Sequence, residues 1–411
     1  MQIVIPLSGI GSRFINAGYQ RPKPLIKVDG IPMIQHVVNL FPNENNFIFI
    51  CNELHLQKNN MFNILKNIKP GCQIFSVSND NRQGPVHAIN MVSDYISDKD
   101  EIIVSYCDYG TDWNYSNFLK DTRERNSDGS IACYKGFHPH MLGTDNYAFL
   151  KETQKDSRFM EKIQEKKPFT ENRMEEYASN GTYYFKNGKI MKYYFQKLID
   201  LGIKINNEYY VSMVYNLLVE DNLKVNIYEI NHMLQWGTPY DLECYEQLSN
   251  YFRKIIIPQK YFKDKLNITT IIPLAGKGSR FTQIGYKLPK PLIEINYKPM
   301  IIQATDCLPK SKDYIFICLQ EHINNYVLDE KIKQYYPNSN IYTLNNVTQG
   351  QACTTEYGIK HDALSLEKPI LISACDNSVY YNHNKYQKLL NNTNIDIIVW
   401  SFRNHPTSKL N

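Results

Sequence analysis

Short, nearly continuous apolar runs alternate along the chain with longer stretches whose apolar positions recur every three or four residues. Runs of the first kind suit strands buried on both faces, and stretches of the second kind suit the helices that cover them. The pattern therefore predicts an α/β fold with a largely parallel sheet. In the first part of the chain, strands are expected at Gln2–Pro6, Phe47–Cys51, Gln73–Val77, Glu101–Tyr106 and Ser130–Tyr134. Pro32 and Pro85 stand where a first-turn proline would open the helices "MIQHVVNLF" and "VHAINMVSDYI", because the missing N–H costs nothing there. Farther on, "YAFLK" and "GTYYFK" read as strands, Ile190–Leu201 and Val211–Glu220 as helices, and a last helix opens near Pro239.

The pattern then repeats. Gly9 maps onto Gly276, Arg13 onto Arg280, Lys23 onto Lys290 and "FIFIC" at Phe47 onto "YIFIC" at Tyr314, at a constant spacing of 267 residues. "RQGPVHA" at Arg82 finds "TQGQACT" at Thr348, "SYCDY" finds "SACDN", and His138-Pro139 finds His405-Pro406. Two tandem copies are expected: residues 1–253 as a complete domain, 254–267 as a charged linker, and 268–411 as a second copy reaching only partway. On this reading the natural chain would continue past Asn411.

A length of 411 residues suits two domains, each with its own core. The net charge of +5 is too slight for a nucleic-acid groove but compatible with handling small anions. No run of about 18 apolar residues offers a membrane span. Nine cysteines without a CxxC pair, several inside apolar runs, read as buried thiols in a reducing compartment, and "MQIVIP" leaves no room for an export signal. A cytoplasmic location is expected.

Chemistry concentrates in the segment after the first strand, "LSGIGSRF" followed by "RPKPL", and again in "LAGKGSRF" followed by "LPKPL". A strand emptying into a Gly-rich loop presents backbone N–H groups at the carboxyl edge of a sheet, where phosphates bind. A glycine pair alone signals only a tight turn. Arg13, and Lys23 held between two prolines, add two cations that a turn does not need. Phe14 stands where a dinucleotide fingerprint needs its third glycine, and there is no GxxxxGK[ST] phosphate loop.

With these residues, "LxGxGSRF…PKPL" resembles the signature of the sugar-phosphate nucleotidyltransferases, the NDP-sugar pyrophosphorylase family. The resemblance implies a glycosyltransferase-A-like, Rossmann-like fold: a mixed, mostly parallel sheet flanked by helices. It assigns nucleotide contacts to Leu7, Ser8, Gly9, Gly11 and Ser12, and in the repeat to Leu274, Ala275, Gly276, Gly278 and Ser279. Catalytic charge falls to Arg13 and Lys23, with Arg280 and Lys290 in the repeat. Gln83 and Gly84, and likewise Gln349 and Gly350, occupy the place that reads the nucleobase. Asp108 and Asp376 are the implied Mg²⁺ ligands. "IQEKKPF" resembles the Glu-Lys-Pro element, with Glu165 on the acceptor and Lys166 on its phosphate; one extra lysine leaves Lys167 as a competing assignment. Asn180 and Gly181, in "NGTYYF", join the acceptor side.

One element departs from the resemblance. Where the family commonly carries a second metal-binding aspartate before a "GTP"-type turn, this chain reads "LQWGTPYDL", with Gln235 or Trp236 there. The metal would then rest on Asp108, the nucleotide and water. "HPH" at His138–His140 has no carboxylates nearby and reads as a structural or acceptor-side loop.

The implied reaction is attack by the phosphate of a small molecule on the α-phosphorus of a nucleoside triphosphate, CTP or another, releasing pyrophosphate. Its partners are an NTP and a phosphorylated acceptor, and its setting the supply of activated precursors for capsule or other surface polysaccharide, in a chain free to form a homo-oligomer. Alternatives are a cytidylyltransferase for a non-sugar phosphate such as phosphocholine, a nucleotide-binding regulatory module with an inactive site, and a glycosyltransferase. The last would usually carry a DxD-type metal motif, whereas "CDY" and "CDN" hold one Asp each.

Overall fold

The computed structural model describes residues 1–78, 83–155, 157–256, 265–362 and 368–402. Contacts divide the chain into two units, Met1–Phe252 and Arg253–Arg403. In the first, nine strands form one sheet: β1 (Gln2–Leu7), β2 (Phe47–Asn52), β3 (Gln73–Val77), β4 (Ile102–Ser105), β5 (Gly129–Tyr134), β6 (Ala148–Glu152), β7 (Met160–Glu165), β8 (Tyr177–Phe185) and β9 (Val225–Glu229). The spatial order is β7-β6-β8-β4-β1-β2-β3, with β5 paired to β8 and β9. β3-β2-β1-β4 is entirely parallel, and β8 runs antiparallel to β4, β5 and β6.

The apolar runs form strands because successive side chains fall on opposite faces of the sheet, each with its own core. Ile3, Ile5, Leu7, Phe47 and Phe49 enter one core together with the helix Met33–Asn39. Val4, Ile48, Ile50 and Val104 enter the other, against the helices Gly188–Asp200 and Val211–Glu220. The helix at Pro85 ends at Asn90 and gives way to a 3-10 turn, Ser93–Tyr95, so it is shorter than its apolar spacing suggests. Pro32 is the N-cap of its helix and lies in a two-residue ribbon with Lys27–Val28, one step before the first-turn position expected for it.

The second unit contains β10 (Leu266–Leu274), β11 (Ser311–Leu319), β12 (Asn340–Leu344) and β13 (Ile370–Ile372), all parallel in the order β12-β11-β10-β13. Its register matches the first unit at the spacing seen in the sequence. Ile5 opposes Phe49 and Ile272 opposes Phe316; Ile48 opposes Gln73 and Ile315 opposes Asn340. The expected linker 254–267 is shortened at both ends, because the helix Pro239–Ile256 runs into it and β10 already pairs at Leu266 with Ser311. Its middle, 257–264, lies outside the described residues, as do Arg82, His405, Pro406 and Asn411. No helix among the described residues is long and apolar enough to cross a membrane. All nine cysteines are free; five are buried as expected, three are half-buried and Cys353 is exposed.

Candidate active site

A cavity of about 240 Å³ opens at the carboxyl edge of the parallel strands, lined by Ser8, Gly9, Lys23, Gly84, Tyr106, Asp108, Glu208 and Tyr210, among others. The loop after β1 reaches it by way of Gly11, whose φ of 72° caps the short helix Ser12–Asn16. A side chain at Gly11 would also press its Cβ to 3.2 Å from that of Lys23, so glycine is required there by the fold. Gly9 is different: it has ordinary backbone and nothing within 4 Å of a built Cβ. The protein's own packing makes no demand for glycine at position 9, which borders the cavity.

Lys23 sits on the 3-10 turn Lys23–Leu25, aimed by the prolines on either side. Its ammonium donates to Asp108 Oδ2 at 2.5 Å and to the Gly237 carbonyl at 2.9 Å. The cation and the carboxylate expected to meet phosphate and metal therefore meet each other. The Asp108 carbonyl accepts from the Trp236 N–H at 3.1 Å. A Cβ at Gly237 would lie 2.8 Å from Gln235 Nε2 and 3.0 Å from Asp108 Oδ2, so the neutral amide and the carboxylate both border Gly237. No group of three or more His, Cys, Asp or Glu that could hold a metal occurs among the described residues. Arg13 is exposed, and its charge reaches both Tyr210 and Asp241. Ser8 accepts the Asn52 amide on its carbonyl at 3.2 Å, tying the loop to β2.

Lys166 donates to Tyr210 Oη at 2.5 Å, and Tyr210 donates to Glu208 at 2.7 Å. The Lys166 backbone is left-handed, with φ 57°, and its N–H is taken by the Tyr147 carbonyl at 2.8 Å. Lys167 is exposed, so of the competing lysines it is Lys166 that meets this wall. Glu165 accepts from Ser212 Oγ at 2.6 Å. Burial raises its carboxyl above the ordinary range, against the pull of Ser212 and Lys166, with Glu208 adding to the rise.

Asn180 and Gly181 lie within β8. The Asn180 amide donates to Thr111 at 2.9 Å and accepts from the Thr182 N–H at 2.9 Å, leaving neither half of the amide facing the cavity unpartnered. Gly181 lets the irregular part of β8 close on Tyr106, whose N–H it accepts at 3.0 Å. Gln83 is tied to the segment after Ile203, where Tyr209 N–H donates to its carbonyl at 2.7 Å. The HPH loop is packed rather than chelating: His140 bonds Tyr134 Oη at 2.9 Å, burial lowers its imidazole to about 3, and His138 lies 4 % exposed beside it. Cys107 borders the cavity, but burial and then Asp108 push its thiol up to about 12, so it stays protonated.

Two residues that line the cavity carried no sequence signal: Glu208 and Tyr210 reach it through long-range topology. Thr238 caps the helix Pro239–Ile256, its hydroxyl accepting the Asp241 N–H at 3.2 Å and donating to the Asp241 carboxylate at 2.7 Å. "TPYD" in the sequence could have signalled that cap.

In the second unit, Gly278 has φ 63°, a Cβ there would lie 2.9 Å from that of Lys290, and Lys290 pairs with Asp376. Leu274, Ala275, Gly276, Gly278, Lys290 and Gly350 line a cavity of about 250 Å³. Gln349 is not among its lining residues, and Ser279 and Arg280 open the helix Ser279–Gln283.

The Nucleotidyl transferase family model matches residues 3–219, more than half of the chain. No curated protein matches it significantly. Among solved structures, the chain is similar to a nucleoside-diphosphate-sugar pyrophosphorylase from Vibrio cholerae RC9, at 20% identity over 60% of this chain and 99% of that one, TM-score 0.49. It is also similar to the inositol-1-phosphate CTP transferase from T. maritima, at 15% identity over 60% of this chain and 94% of that one, TM-score 0.46. A third is UDP-glucose pyrophosphorylase from Acinetobacter baumanii, at 17% identity, 62% and 98% coverage, TM-score 0.46.

Proposed function

The chain belongs to the nucleotidyl transferase family, and from that premise we propose that its first unit joins the nucleoside monophosphate of an NTP to a phosphorylated sugar or similar small molecule, releasing pyrophosphate. One observation carries the reading: Lys23, whose Nζ is held by Asp108 and the Gly237 carbonyl, lines a cavity together with Gly9, Glu208 and Tyr210, and Tyr210 is bonded to Lys166. Both substrates are anions, so the work is mostly positioning and charge stabilisation. The acceptor phosphate is already largely ionised near neutral pH, and no general base is required. Lys23 would leave Asp108 for an α-phosphoryl oxygen, Arg13 would draw on the leaving pyrophosphate, and Lys166 would receive the acceptor phosphate. Ser8, Gly9 and Ser12 would line the polyphosphate.

Mg²⁺ fits the residues present in a limited way. Asp108 supplies one carboxylate at the rim, with neutral Gln235 also bordering Gly237, and Mg²⁺ is often held by one or two carboxylates plus substrate phosphates. When bound, the ion would neutralise phosphate charge. Lys23 occupies Asp108 Oδ2, and its transfer to phosphate would free that oxygen for the metal.

The matched registers and the Gly278–Lys290–Asp376 arrangement support residues 268–411 as a second copy of the nucleotide-binding half, with 1–253 the complete domain. A role in supplying activated precursors for surface polysaccharide, in the cytoplasm, accords with a family fold and no membrane-spanning helix among the described residues. The test is pyrophosphate release from each of the four triphosphates against a panel of phosphorylated sugars, polyols and phosphocholine. Release with one pair only is expected; none with any pair would refute the reading.

A further inference from the structure

Gln83 lies next to Gly84, which borders the first cavity, and it is held from two directions. Its backbone carbonyl takes the Tyr209 N–H at 2.7 Å. Gly84, at φ 94°, is so tight against the same segment that a Cβ would lie 2.7 Å from Tyr209 N and 2.9 Å from Tyr209 O. The side chain is held as well: Lys204 Nζ donates to Gln83 Oε1 at 2.9 Å, in a part-buried bond. Lys204 is itself steadied over the Tyr209 ring, at 4.7 Å from the centroid.

A free glutamine amide can turn over and offer either its oxygen or its NH₂ to a ligand. A lysine ammonium has donors only, so the half of the amide that it binds must be the oxygen. We propose that Lys204 fixes the polarity of Gln83, leaving its NH₂ to face the nucleobase, so that the site selects a base presenting a hydrogen-bond acceptor there. Lys204 is a positioning residue, acting through Gln83. The inference rests on the reading of Gln83 as the base-side residue.

The chemistry of bases makes this polarity selective. Between cytosine and uracil, or adenine and guanine, donors and acceptors exchange places at the ring nitrogen and exocyclic group of the pairing edge. A fixed donor therefore favours one member of the pair, and a donor facing a donor leaves both desolvated and unpaired, at a cost of roughly tenfold or more in affinity. An amide free to turn would accept either.

The test is calorimetric binding of the four Mg²⁺-triphosphates to the full chain, without acceptor, for wild type and for Lys204→Met, Lys204→Glu, Lys204→Arg and Gln83→Ala. Any binding to the second unit is common to all variants and cancels in the comparison. Wild type is expected to prefer one base of a like-sized pair by roughly tenfold or more. Lys204→Met should bring the pair to near equality and Lys204→Arg should keep the preference. Lys204→Glu, whose carboxylate accepts from the amide NH₂ and turns the oxygen outward, should reverse it. If Lys204→Met weakens both nucleotides equally and keeps the ratio, the lysine is only structural and the inference fails. A wild type without preference overturns it too. The underlying reading fails separately: if Gln83→Ala keeps the wild-type preference, Gln83 does not meet the base. If Gln83→Ala loses the preference and Lys204→Met keeps it, the base reading stands and the role of Lys204 is refuted.

Discussion

The two cavities share one rim and differ in the rest of their lining. In each, a left-handed glycine seats a lysine from a Pro-Lys-Pro turn, and that lysine pairs with an aspartate beyond the fourth parallel strand. The lining of the first cavity also includes Glu208 and Tyr210, joined to Lys166, whereas the described lining of the second contains no carboxylate or phenol. The difference separates two jobs. Four parallel strands and their loops suffice to build the cationic rim, whereas the carboxylate and phenol wall depends on a segment after Ile203 and on the end of β7. Rim chemistry should therefore appear in both units, and acceptor chemistry should track the wall.

The largest effect should come from the first rim. Lys23→Ala is expected to lower pyrophosphate release by roughly 10²-fold or more, the scale of losing one preorganised charge stabiliser, while Lys290→Ala leaves first-unit turnover within about twofold. Steady-state assays on both variants, with circular dichroism to confirm folding, check this; equal losses would erase the distinction between the units. Next, Lys166→Ala should raise the acceptor KM by roughly tenfold, the loss of one charge-assisted contact, and leave the nucleotide KM unchanged. A change in nucleotide KM alone would move Lys166 to the other side of the cavity.

The glycines sharpen the comparison on a smaller scale. Gly11→Ala should destabilise the first unit by about 1–2 kcal/mol, the cost of a left-handed backbone for a residue with a Cβ. Gly9→Ala should leave thermal stability unchanged and weaken nucleotide binding, because only a ligand competes for the space beside it. Denaturant melts and nucleotide titrations separate the two effects. The smallest effect concerns Glu165. Its carboxyl is held high chiefly by burial, so the folded state favours the protonated form. Stability from that group is present below its ordinary value and lost as pH rises through the raised one. Glu165→Gln, which still accepts from Ser212, should melt higher than wild type at neutral pH, and the gap should close as pH falls toward 4.5, the ordinary value. A gap constant with pH would assign the effect to packing.

Most of the fold was legible because strands buried on both faces write themselves as apolar runs: β3 has the expected ends, and β1, β2, β4 and β5 differ by a residue or so. The rim was legible because it lies within 25 residues of a strand end, and Gly11, Lys23 and Asp108 do converge. What local sequence could not express was pairing across the chain. It singled out Lys23 and Asp108 separately but not their contact with one another, since 85 residues separate them. Glu208 and Tyr210 sit in "NNEYYV", an unremarkable run that becomes a wall only because Tyr209 bonds Gln83. The bond from the Thr182 N–H to the Asn180 amide oxygen, which sits at the strand's irregularity, was likewise not written in the motif around Asn180.

The most direct measurement is a crystal structure of the chain with a non-hydrolysable triphosphate and Mg²⁺. The account predicts polyphosphate along the Ser8–Arg13 loop, with Lys23 withdrawn from Asp108 and bonded to an α-phosphoryl oxygen. Nucleotide bound elsewhere in the first unit, or lying at this rim with the Lys23–Asp108 pair intact, would contradict it.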